Sequence, residues 1–299
     1  MNFNPPAKMT LMAGNAGKYK AELPIFQLLL RGFMAGAYIA IGAALCTVCS
    51  TAVANYLGPG VGKLIGGAVF PVGLIAIVLT GMELFTGDAM LAPMAAMMGK
   101  TTWGKVFNNW LWVYIGNLLG SLFYAYMMVI GPFTQGNLGA AEPNAFGMNA
   151  IAIAVAKTLT YKSAGSVGLW SVFWAAIGCN FLVNIAILLG ITANDVIGKF
   201  FGIWFPIMAF VATGFEHCVA NMYFLPSGLW LTKYFPGVVD KMVDGKPWNP
   251  LLHANGGLSW GDVWLWNLIP ATLGNIVGGF LLIGVVYFLA FRKELPAES

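Results

Sequence analysis

Gly214-Phe215-Glu216-His217-Cys218-Val219-Ala220-Asn221-Met222 sets an acid and an imidazole in the middle of an apolar run from Val196 to Leu225. An earlier stretch, Gly81-Met82-Glu83-Leu84-Phe85-Thr86-Gly87-Asp88, interrupts another apolar run in the same way. At a shift of 133 residues Gly81 falls on Gly214, Glu83 on Glu216 and Asp88 on Asn221. Spans broken at matching places in two halves of a chain point to a membrane transport site.

The rest of the chain supports a membrane setting. Of its 299 residues 59% are hydrophobic and 9% charged, with mean hydropathy +0.77. Soluble domains carry about 25% charged residues. The apolar excess runs the whole length, so the reading is an all-α polytopic membrane protein. The formal charge of +4 is small and scattered, which argues against a nucleic-acid partner. Cys46, Cys49, Cys179 and Cys218 all lie in apolar runs; Cys46-x-x-Cys49 has no acid or base beside it and reads as small-residue packing. No metal site or cofactor is expected.

A membrane-crossing helix needs roughly 20 apolar residues, and on that basis the sequence divides into six spans. These are 25–53, 61–98 broken at 81–88, 103–130, 168–189, 196–225 broken at 205–216, and 262–291. Residues 1–24 form an N-terminal segment without the pattern of a signal peptide, 25–293 the transmembrane domain and 294–299 a tail. Within the segment between the third and fourth spans, 150–160 reads as a short surface helix. Repeat one covers about 25–130 and repeat two about 168–291. Three spans per repeat is odd, so the second repeat is expected to lie upside down relative to the first. Asn109, Gly116, Asn117 and Gly120 match Asn267, Gly274, Asn275 and Gly278 at a shift of 158. The longer loop after the fifth span absorbs the difference between the two shifts.

Lys and Arg near span ends set orientation. An inner N-terminus collects Lys8, Lys18, Lys20, Arg31, Lys100, Lys105, Lys199, Arg292 and Lys293 inside. Lys63, Lys157, Lys162, Lys233, Lys241 and Lys246 then lie outside. That bias puts both termini in the cytoplasm and the chain in the cell membrane. Gly32/Gly36, Gly62/Gly66, Gly116/Gly120 and Gly274/Gly278 have the spacing that lets helices approach closely in lipid. Trp103, Trp260 and Trp264 stand at span ends as interface anchors.

Unwound backbone at bilayer depth survives only where protein or a water-filled cavity meets it. Both breaks should therefore face inward, each followed by a half-helix starting near Ala89 and near His217. Half-helix N-termini carry partial positive charge and free N–H groups, an arrangement that suits an anion. His217 is the single histidine inside a span, and intramembrane ionisable residues are functional by default. Glu83 and Glu216 read as pathway charges or as clamps on the unwound backbone, the symmetric placement favouring clamps. Asp88 reads as a cap for the half-helix after it. Phe70, Leu74, Leu84, Phe85 and Phe210 flank the breaks as candidate hydrophobic constrictions, with Thr86 the hydroxyl among them.

These strings together resemble the formate–nitrite transporter family. The resemblance rests on Glu83-Leu84-Phe85-Thr86, on Asn109-Trp110 with Tyr114 and Gly116-Asn117, on Gly214-Phe215-Glu216-His217 through Ala220-Asn221-Met222, and on Gly274-Asn275-Ile276 with Gly278-Gly279. It covers about residues 20–293 and is nearest to formate transporters, including the methanogen type associated with formate dehydrogenase. It implies an aquaporin-like fold of inverted repeats, a homopentamer with one pore per protomer, and passage of formate, nitrite, hydrosulfide, acetate or lactate, as anions or with protons. By resemblance His217, Thr86, Asn180, Lys162 and Asn221 face pore and substrate, Lys162 as the outer-vestibule lysine. The five apolar residues above match the constrictions, while Glu83, Glu216, Asp88, Asn117 and Asn275 are structural polar residues. The fourth span carries Ala175-Ala176 where many members have Arg-Gly.

A naked anion in a narrow apolar pore faces a desolvation penalty that one imidazole does not offset. Crossing as the neutral acid, protonated by water or through His217, is the expected mechanism. Two rivals stand beside it. A haem-bearing membrane enzyme subunit needs paired axial ligands, and only His217 is a span histidine beside fifteen methionines. A neutral-solute channel is the other.

Overall fold

The computed structural model describes residues 3–295. Residues 1–2 of the N-terminal segment and 296–299 of the tail lie outside them. The chain is almost wholly helical. In order come α1 (Pro6–Ala21), α2 (Ile25–Ser50), α3 (Val53–Leu57), α4 (Pro59–Val69), α5 (Val72–Thr80), α6 (Phe85–Met97), α7 (Trp103–Ile130), α8 (Ala145–Lys157), α9 (Leu159–Ser163), α10 (Gly165–Thr192), α11 (Val196–Ala212), α12 (Cys218–Tyr234) and α13 (Pro250–Ala254). The last helix, Trp260–Phe291, mixes α and π turns. A hairpin of Met242–Val243 with Lys246–Pro247 sits in the final long connection.

Among the described residues five helices are long and apolar enough to cross a membrane: Ile25–Ser50, Pro59–Thr80, Trp103–Ile130, Gly165–Thr192 and Trp260–Phe291. Val196–Ala212 is apolar but shorter. Large side chains such as Phe107, Leu111, Phe123, Trp170, Trp174 and Leu265 stand exposed on these helices, as a lipid-facing surface requires.

Several elements differ from the sequence reading. The N-terminal segment is a helix, because Met9, Ala13, Gly14, Gly17 and Ala21 form a small-residue stripe that buries on α6. A Cβ at Gly17 would stand 1.8 Å from the Leu91 carbonyl oxygen. The second break opens at 213, not 205, because Pro206 is held inside α11. Neighbouring structure can absorb a proline in an apolar helix. The half-helix after the first break starts at Phe85, four residues before Ala89, and α12 runs on to Tyr234. The helix expected over 150–160 starts earlier and ends at Lys157, exposing Ala145, Phe146 and Ala156 while Ala150, Ile151, Ala154 and Val155 bury against α12. All four cysteines are free thiols.

The small-residue pairs explain how α2 meets α7 and α10 meets the last helix. A Cβ on Gly36 would lie 2.1 Å from the Asn117 carbonyl oxygen, and one on Gly278 would lie 2.4 Å from that of Ile177. Backbones this close need glycine, and they bring Asn117 and Asn275 against the two breaks.

Candidate functional site

Both upstream helices end in the same way. Gly81 (φ 75°) and Gly214 (φ 79°) adopt the left-handed conformation that glycine takes most readily at a helix C-terminus. The chain then runs extended into a half-helix whose first N–H groups have no partner within the helix. At each break a buried amide from a neighbouring helix satisfies the first of them. Asn117 Oδ1 accepts from Phe85 N at 2.9 Å, while its Nδ2 donates to the Gly32 and Glu83 carbonyls at 2.8 and 2.9 Å. Asn275 Oδ1 accepts from Cys218 N at 2.8 Å, and its Nδ2 donates to Ala176 and Glu216 carbonyls at 2.8 and 2.9 Å. With all polar atoms paired, each amide locks a non-helical segment in place. The polar clamps are thus Asn117 and Asn275, not the glutamates alone.

Each glutamate side chain instead meets a lysine from a helix outside the long spans. Glu83 Oε2 accepts from Lys20 of α1 at 2.7 Å, and Glu216 Oε2 from Lys157 of α8 at 2.9 Å. Asn109 and Asn267 donate to the carbonyls of these lysines at 3.2 and 2.8 Å. Asn221 donates to Glu216 Oε2 and to Asn267 Oδ1, both at 2.7 Å. Asp88 does not cap α6: it lies in the first turn, 3.1 Å from Lys20 Nζ, and Leu84 holds the capping position. Tyr161 donates to Glu216 Oε1 at 3.0 Å. Burial, then the nearby Glu216 charge, holds the Tyr161 phenol above its ordinary pKa.

His217 and Thr86 come together although 131 residues separate them, with Nε2 and Oγ1 3.0 Å apart. His217 is the N-cap of α12, and its Nδ1 accepts from Ala220 N at 3.0 Å. An Nδ1 lone pair used in this way places the neutral ring's proton on Nε2. The imidazole therefore donates to the Thr86 hydroxyl oxygen, leaving the hydroxyl proton free to donate onward. A second proton on Nδ1 would require giving up the cap.

The Thr86 carbonyl is gripped by Asn180 Nδ2 at 3.1 Å and Asn184 Nδ2 at 3.2 Å. Asn184 escaped the sequence reading. Its signal is spacing: Asn180 and Asn184 share one face of α10, opposite Gly279, where a Cβ would lie 2.6 and 2.7 Å from the two amide nitrogens.

A cavity of about 430 Å³ reaches His217. Its walls include Phe70, Phe210, Lys63, Lys157, Glu216 and Asn221. Phe70 and Phe210 meet edge to face with centroids 5.5 Å apart, and Phe210 stacks on the His217 ring at 5.7 Å. Leu74, Leu84 and Phe85 are buried but do not line this cavity; Phe85 packs on Trp110 and Tyr114. Neither does Lys162, whose ammonium bonds Asp262 Oδ1 and Asn255 Oδ1, both at 2.8 Å. Lys157, one helix earlier, does line the cavity, because the last turn of α8 brings its ammonium to Glu216 beside the break. The cavity has the size for a small anion and sets two lysines, Lys63 and Lys157, among its walls with two phenylalanines and an imidazole.

The family model described as formate/nitrite transporter matches residues 7–289. A probable formate transporter of Methanothermobacter thermautotrophicus is 37% identical, covering 98% of this chain and 99% of that protein. The formate channel FocA of Escherichia coli K12 is 31% identical over 97% of this chain and 95% of its own length. A solved pentameric formate channel with formate bound superposes with a TM-score of 0.68 at 31% identity, covering 90% of this chain and 98% of that one. These relatives are channels and transporters rather than enzymes, and several apolar helices make this a multi-pass membrane protein. The chain belongs to the formate/nitrite transporter family.

Proposed function

We propose that the chain carries formate across the cell membrane, as formate with a proton or as formic acid, through a pore within each protomer of a homopentamer. Six spans in two inverted repeats, both termini cytoplasmic, would put the cavity at the outer face. The observation that carries this reading is the hydrogen-bonded chain from Ala220 N–H through His217 to Thr86, with His217 and Ala220 lining a phenylalanine-walled cavity along with Lys63 and Lys157 and Thr86 buried directly behind the imidazole.

The chemistry follows from that chain. Lysines near the mouth raise the local concentration of a monovalent anion. Moving a carboxylate past Phe70 and Phe210 without its water is strongly unfavourable. Taking up one proton removes most of that penalty, and the lysines and the Thr86 O–H would hold the anion while it does so. The neutral imidazole has a single N–H, already donated to Thr86, so water is the better proton source. His217 then acts as the group that aims the Thr86 donor. The pore, its substrate ranking and the proton are parts of this proposal, supported by the named relatives and the geometry.

The test is radiolabelled formate uptake into proteoliposomes, with and without an inward proton gradient, competed by nitrite and by hydrosulfide. Uptake that rises with the gradient and resists competition is expected. Stronger displacement by nitrite or hydrosulfide would move the substrate within the family, and uptake of urea but no anion would overturn the reading.

A further inference from the structure

The acid–lysine–asparagine clusters beside the two breaks differ in charge at one matched pair, Asp88 and Asn221. Around the second, Asn221 Nδ2 donates to Glu216 Oε2 and to Asn267 Oδ1. Around the first, Asp88 stands where Asn221 does, Glu83 where Glu216 does, and Asn109 where Asn267 does. No hydrogen atom fills the equivalent place if Asp88 is ionised. Both Asp88 carboxyl oxygens and Asn109 Oδ1 are then buried without a hydrogen bond, although Asp88 and Asn109 are fully buried.

Charge balance points the same way. Lys20 is the one cation facing two buried carboxyls, 2.7 Å from Glu83 and 3.1 Å from Asp88. Among the described residues no other charged side chain faces Asp88 from α1, α7, α10 or the last helix; α7 contributes the neutral Asn109 and the Trp110 indole, which donates to the Asp88 carbonyl at 3.1 Å. Two ionised carboxylates would leave one buried negative charge uncompensated, and like charges at such range do not both ionise readily.

We propose that the break beside α1 is a proton-binding site: Asp88 is a neutral carboxylic acid whose single O–H donates to Glu83, as one N–H of the Asn221 amide donates to Glu216. One proton then does at the first break what one of the two Asn221 N–H groups does at the second, and it removes the repulsion between two carboxylates that share one cation. The site stands on the fold alone and does not depend on which solute the chain carries.

Infrared difference spectroscopy of the purified full-length protein in lipid, titrated with pH, tests it. The wild type is expected to show a protonated-carboxyl C=O band near neutral pH that shifts in heavy water and disappears on alkaline titration. Asp88→Asn should abolish that band while leaving the thermal midpoint close to wild type, since the neutral amide also offers Glu83 a hydrogen. Asn221→Asp should add a second band. A wild-type protein without the band at neutral pH, or a band that survives Asp88→Asn, overturns the proposal; the wild-type titration decides the first point whether or not a variant folds.

Discussion

The first and second breaks share one mechanical design and divide the chemistry between them. Each has a left-handed glycine, an asparagine clamp and a glutamate paired to a lysine from a helix outside the long spans. Yet where His217 caps α12 through its side chain, the matching residue before α6 is Leu84, which has no side-chain cap bond. Where the first break brings the Thr86 hydroxyl, the second has Val219. Holding unwound backbone inside an apolar protein is needed twice and is solved twice alike. A polar contact at the centre is needed once, so each break supplies half of it.

The largest effects should come from the shared part. Asn117→Ala and Asn275→Ala each strand one N–H and two carbonyls in a buried site, at roughly 1–2 kcal/mol per group. We expect each to lower stability by about 3–5 kcal/mol, equally, in thermal unfolding of the detergent-solubilised protein. A twofold difference between them would break the equivalence of the two breaks.

Lys20→Met comes next. Removing one partner of a buried ion pair is expected to destabilise by about 3 kcal/mol, read as faster hydrogen exchange throughout α1. Burial pushes the Lys20 ammonium down, but Asp88 and Glu83 outweigh it and leave its pKa raised. A raised lysine pKa gives stability that is complete below the unfolded value of about 10.4 and is lost as pH climbs through the folded one. Lys20 by itself therefore predicts flat protection of α1 across the neutral range, so a change there on the alkaline side reports Asp88 losing its proton.

The divided part is sharpened by transport. His217→Phe removes the donor to Thr86 and the cap on Ala220 N, and Thr86→Val removes the hydroxyl. Each is expected to slow formate uptake by about tenfold or more, near 1.4 kcal/mol in barrier. His217→Asn that moved formate with unchanged pH dependence would remove the histidine from the mechanism. Lys157→Met should raise the formate concentration for half-maximal uptake several-fold. The smallest effect is expected for Lys162→Met, whose ion pair is partly exposed: about 0.5 kcal/mol of stability and the same formate affinity as wild type. Equal loss of affinity in the two lysine variants would return Lys162 to the vestibule.

Much of this was legible in the chain. Gly81 and Gly214, Glu83 and Glu216, and Asn117 and Asn275 announce themselves by position, because a duplicated break needs the same backbone and the same clamp. The extent of the breaks was harder to read. Pro206 looks like a helix terminus in sequence and is absorbed inside α11, while Asp88 looks like a cap and belongs to an ion-paired cluster with α1. The N-terminal helix stayed hidden because its buried stripe is mostly glycine and alanine, with Met9 its one large apolar residue, so it carries little hydropathy.

By itself the sequence determined that the chain spans a membrane and is interrupted twice, since apolar length and the intrusion of Gly, Glu and His are local properties. The tertiary structure decided which polar groups meet. That Lys157 rather than Lys162 reaches Glu216, that Asn184 joins Asn180 on the Thr86 carbonyl, and that His217 donates from Nε2 all depend on atoms brought together across 59 to 131 residues of chain. Spacing along a chain says which groups share a helix face; only packed backbones, close enough here to require glycine, fix which of them lie within 3 Å.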